Sequence, residues 1–87
     1  MNIHDDEIEA AGLCLKEVER IAKGLSRYAK QAQAMGISIF GGAGSGSLRF
    51  DDGQEIGPLI LADLDGEFDG GDGAATDDEN GLLRGEC

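Results

Sequence analysis

Tryptophan is absent from this 87-residue sequence, and the aromatic complement is one tyrosine and three phenylalanines. There is one histidine, one proline and two cysteines. Each scarcity excludes something. Few aromatics mean a thin core, and a chain of this size buries only about 60–65% of its unfolded surface. Such chains often gain stability from a second copy or a partner. Cys14 and Cys87 do not make a disulfide framework, and with His4 they are too few and too scattered for a zinc site. His4, the only histidine, lies before the first helix, and Cys14 has no His and Asn partners placed to meet it in a cleft. No apolar run approaches the ~20 residues needed to span a bilayer, and the opening Met-Asn-Ile-His-Asp-Asp-Glu lacks the basic and apolar regions of a signal peptide. The expected setting is cytoplasmic.

Basic residues are also scarce, seven Lys and Arg against eighteen Asp and Glu, and the imbalance is local. Residues 1–36 carry six acids and five bases. Residues 51–87 carry twelve acids and only Arg84. The net charge of −11 thus belongs to the C-terminal part. Its field repels nucleic acid and anionic membranes and attracts cations or basic proteins.

Asp5 to Met35 reads as one helix. Ile8, Leu15, Ala22 and Ala29 repeat every seven residues, as do Ala11, Val18, Leu25 and Ala32, giving a 3,4-spaced apolar stripe. Ile21, Tyr28 and Met35 widen it beyond a coiled-coil seam. Asp6 and Glu9 have capping-box spacing, early acids and later bases (20, 23, 27 and 30) complement the helix dipole, and Gly36 suits the left-handed C′ position. Gly12 and Gly24 interrupt the pattern, each costing about 1 kcal/mol against alanine.

Strands are expected near 37–40, 47–50 and 58–63, with residues 41–46 as a glycine loop and Asp52-Gly53 as a turn. Pro58 argues for an edge position or a bulge in the third strand. The expected fold is α+β, one long N-terminal helix packed on a three-stranded antiparallel meander over residues 1–64. A glycine- and aspartate-rich acidic tail, 65–87, is too polar to offset its ordering entropy. Leu82-Leu83 is an apolar island within it.

Two motif tests fail. The glycine run has P-loop spacing, but Ser47 stands where lysine is required, and it also misses the third glycine of a dinucleotide fingerprint. Set against an EF-hand loop, Asp63, Asp65, Gly66 and Asp69 fall at positions 3, 5, 6 and 9 and Asp72 at position 12, while Leu61 occupies position 1, where an aspartate is needed. Asp63, Asp65, Asp69 and Asp72 are therefore weak metal candidates, and no cofactor is expected.

The sequence points to a binding protein rather than an enzyme. The leading expectation is a small acidic module, an inhibitor or regulator, that engages a basic protein surface through Asp63, Asp65, Glu67, Phe68, Asp69 and Asp72. Its size, glycine-rich hairpin and acidity suit an accessory protein of the kind phages and prophages carry, though no family motif is present. A calcium-responsive module using the 63–72 loop and a self-associating structural protein are the alternatives. A homodimer is expected through the apolar helix face, with Leu15, Val18, Leu25 and Tyr28 in the contact.

Overall fold

A computed structural model describes residues 1–42, 44–70 and 75–85. The protein is α+β, and it falls into two compact units, Met1–Tyr28 with the C-terminal residues from Asp72, and Ala29–Gly71.

In the first unit, helix α1 covers Asp5–Ala10 and helix α2 begins at Leu15 and runs to Ala34, its last residues belonging to the second unit. The single helix expected from Asp5 to Met35 is thus broken, and Gly12 is the cause. It adopts φ +73°. Leu13 N–H donates to the Ile8 carbonyl and Gly12 N–H to that of Glu9, a Schellman closure that ends α1. The glycine is a stop signal, not a blemish. Any L-residue at that φ costs roughly 1–2 kcal/mol. Gly12→Ala is therefore expected to lower the melting temperature by about 4–15 °C at this chain length; an unchanged or raised value would mean that the two helices join freely.

The N-cap of α1 is His4, which makes no side-chain capping bond, so the Asp6–Glu9 box does not form. The bases at 20, 23, 27 and 30 lie in the body of α2, whose last turn holds none. Gly36 does take the left-handed form, φ +76°, and closes α2.

The tail expected to be unstructured holds a hairpin, β4 (Ala75–Asp77) against β5 (Leu83–Gly85). Asp78 organises its turn. One carboxylate oxygen accepts from the amides of Asn80 and Leu82 at 2.9 and 3.0 Å, and the other from Arg84 Nε at 2.6 Å. The Leu83 amide donates to Glu7 Oε2 at 3.0 Å. The Arg84 bond and the backbone amides hold the Asp78 carboxyl below its ordinary pKa of 3.8. A depressed carboxyl stabilises the folded form above its unfolded pKa, and that contribution is lost as pH falls through the lowered value. The Leu82 and Asn80 amide shifts should titrate together below pH 3.8, and Asp78→Asn should abolish that titration. A midpoint at or above 3.8 would show that the turn does not depend on this carboxylate.

The second unit is an antiparallel sheet ordered β1-β2-β3: Ile37–Gly42, Gly44–Phe50 and Leu59–Phe68. Ile37 faces Phe50 across the first pair, and Gly42 faces Ser45. The glycine run expected to be a loop is therefore largely strand. Phe68 explains this. A Cβ on Gly46 would lie 2.7 Å from the Phe68 ring, and one on Gly41 would lie 3.1 Å from Phe68 Cβ. Phe68 occupies the space that side chains at Gly41 and Gly46 would fill, so an aromatic from β3 covers glycines of β1 and β2. Asp51 and Asp52 accept from the Gly53 and Gln54 amides at 2.8 and 3.3 Å, shaping the connection into β3. Strand β3 ends at Phe68, five residues past the strand end expected at 63 and four past the core boundary expected at 64, and its register against β2 shifts twice, between Gly44 and Gly46 and between Leu48 and Arg49.

Among the described residues no apolar side chain is buried, and Ser47 is the one buried polar residue. On α2, Ile21, Leu25 and Tyr28 are each about 60% exposed.

Candidate functional site: the acidic edge strand

Strand β3 is an edge of its sheet, paired with β2 on one side only. Its ten residues, Leu-Ile-Leu-Ala-Asp-Leu-Asp-Gly-Glu-Phe, divide into two parts. Leu59, Ile60 and Leu61 are exposed apolar residues. Asp63, Asp65 and Glu67 follow as exposed acids, separated by half-buried Leu64 and by Gly66, and half-buried Phe68 ends the strand. An extended backbone puts successive side chains on opposite faces and leaves every other outward amide and carbonyl free on an edge. Like charges along that edge oppose pairing with another acidic strand.

The expected site residues are thus partly assembled. Asp63 faces Ser47 across the ladder, and Asp65 and Glu67 lie in the irregular stretch where β3 bulges against Gly44–Gly46. Phe68 is engaged with the glycine floor, which limits it as an anchor for a partner. Asp69 follows the strand, and Asp72 lies outside the described residues. Residues 61–68, which aligned with an EF-hand loop, are extended strand, and no group of three or more metal-ligating side chains gathers among the described residues. No family model, curated protein or solved structure matches the chain.

On the same sheet, Arg49 is fixed by two contacts. Its Nε donates to Ser47 Oγ at 3.0 Å and its guanidinium lies 3.9 Å above the Phe40 ring. The shallow groove beside it is lined by Ser38, Phe40, Arg49, Asp51 and Gln54, a set without a nucleophile and base in partnership.

Sequence reading missed a second charged feature. Lys16, Arg20, Lys23, Arg27 and Lys30 recur at 4,3,4,3 spacing on α2, a basic stripe on the side opposite the apolar one. Glu17 pairs with Arg20 and Glu19 with Lys23. Arg27 stands 4.9 Å from the Tyr28 ring. The spacing was visible in the sequence, but Arg20, Lys23, Arg27 and Lys30 were assigned to the helix dipole and Lys16 to nothing.

Proposed function

We propose that this protein is a binding module, not an enzyme, and that it takes a basic, extended segment of a partner protein along the open edge of β3. One observation carries the reading: a ten-residue edge strand whose exposed side chains change from apolar (59–61) to acidic (63, 65, 67). Strand addition supplies main-chain hydrogen bonds to any extended peptide, and the side chains set the choice. Acids on the edge attract a basic strand and repel an acidic one, so the same residues select and exclude. Asp69 and Asp72 extend the acidic run beyond the strand. A role as inhibitor or regulator of a basic-surfaced protein follows, with neither nucleic acid nor a membrane as the target of so acidic a chain. No helix among the described residues is long and apolar enough to cross a membrane. The exposed free thiol of Cys14 fits a reducing, cytoplasmic setting.

The test uses two synthetic peptides of alternating residues, Lys-Val and Glu-Val. Stopped-flow association is measured at about 50 mM and about 500 mM salt, across which the screening length falls severalfold. The Lys-Val peptide should bind, with a rate that drops steeply at high salt, and the Glu-Val peptide should not bind. Equal rates at the two salt concentrations, or binding of both peptides, would remove the role of the acids.

A further inference from the structure

We infer that Asn80 is a self-modification site, converted to aspartate and isoaspartate through its neighbour Gly81, and that the Asp78 turn holds this reaction back. The chemistry starts from the pair Asn80-Gly81. Glycine has no side chain to shield its backbone nitrogen or to restrict its approach. The Gly81 nitrogen attacks Cγ of Asn80 and a succinimide ring forms. The bond from Cγ to the side-chain nitrogen breaks, and that nitrogen leaves as ammonia with the proton lost from Gly81. Water then opens the ring at either carbonyl. Opening at one gives aspartate. Opening at the other gives isoaspartate, whose main chain runs through Cβ and Cγ and is longer by a methylene.

Both residues are exposed between β4 and β5, so water reaches them. Among the described residues, none bonds to the Asn80 carboxamide, which is free to turn. The restraint lies in the backbone. Gly81 N–H, on the nitrogen that must attack, donates to the Asp78 carbonyl at 3.0 Å. The amides on either side, Asn80 and Leu82, donate to Asp78 Oδ1 at 2.9 and 3.0 Å. Asp78 N–H in turn donates to the Leu82 carbonyl at 2.8 Å. An amide tied in this way neither loses its proton nor swings onto Cγ until the turn opens. Conversion then acts back on the turn. The added methylene of isoaspartate falls between the amides of Asn80 and Gly81, both of which Asp78 holds. Isoaspartate therefore breaks the pairing of β4 with β5 and frees the Leu83 amide from Glu7. Ordinary aspartate leaves the main chain unaltered and the hairpin closed.

The test incubates the full chain at physiological temperature and mildly alkaline pH, folded and in guanidinium chloride, and follows it by peptide mass spectrometry. Exchange of amide for carboxyl changes the mass, whereas isomerisation at the Asp-Gly pairs does not. Asn2, followed by β-branched Ile3, is the slow internal reference. Asn80 should convert slowly in the folded chain and severalfold faster in denaturant. Asp78→Ala without denaturant should also speed it severalfold. In the purified isoaspartate form the Leu83 amide resonance should leave its folded position, and in Asn80→Asp it should stay. No conversion of Asn80 in denaturant would overturn the inference. So would a rate that neither denaturant nor Asp78→Ala raises, a rate raised by denaturant alone, or an isoaspartate form with the Leu83 resonance unmoved.

Discussion

Gly46→Ala is expected to lower stability by about 1–3 kcal/mol, the ordinary cost of forcing an atom into a filled site. The sign is the informative part. Glycine in the interior of a strand is usually a weakness of roughly 0.5–1 kcal/mol, and alanine there normally helps. Here an added Cβ would meet three atoms of the Phe68 ring at 2.7–2.8 Å, closer than real contacts allow. The ring cannot swing away cheaply, because it also lies against Gly41. A double-mutant cycle isolates the cause. With Phe68→Ala already made, Gly46→Ala should be neutral or stabilising, giving a coupling above 1 kcal/mol between the two sites. Gly70 offers a parallel check. Its added Cβ would lie 2.6 Å from the Gly41 carbonyl oxygen, a backbone atom with little room to yield. Additive effects at positions 46 and 68 would show that the glycines are there for the turn alone.

The combined substitution Asp63→Asn, Asp65→Asn and Glu67→Gln should slow association with the Lys-Val peptide by about tenfold or more, toward the unsteered rate. It should also flatten the salt dependence, since three of the charges that steer the peptide are gone. Dissociation should change less, because main-chain pairing and Leu59–Leu61 are untouched. All three side chains are exposed, so thermal stability should hold or rise as mutual repulsion along the strand is relieved. Unchanged association in a folded variant would assign the acids to solubility alone.

The sequence made much of this architecture legible, and the exceptions share a physical cause. Periodicity exposed α2, the alternation of Ser47-Leu-Arg-Phe50 exposed β2, and Pro58 pointed to an edge strand with bulges, as β3 is. The glycine strands escaped because glycine has no side chain whose period can be read, and what orders them is Phe68, more than twenty residues downstream. The β4–β5 hairpin escaped because composition averaged over an acidic tail hides the single carboxylate, Asp78, that binds Asn80, Leu82 and Arg84. The break at Gly12 escaped because the apolar repeat passes through it, while one φ angle and two hydrogen bonds end α1 there. At the candidate site, Asp63, Asp65 and Glu67 were singled out for their charge. Their place on an open edge depends on how far β3 extends, which acid-rich composition conceals.

The most direct measurement of the proposed site is residue-resolved amide hydrogen exchange with and without the Lys-Val peptide. Alternate amides of β3, those that make no ladder bond to β2, should exchange slowly only when the peptide is present, in a period-two pattern between Leu59 and Phe68. Protection without that periodicity, or confined to α2 or to the β4–β5 hairpin, would contradict binding by strand addition at this edge.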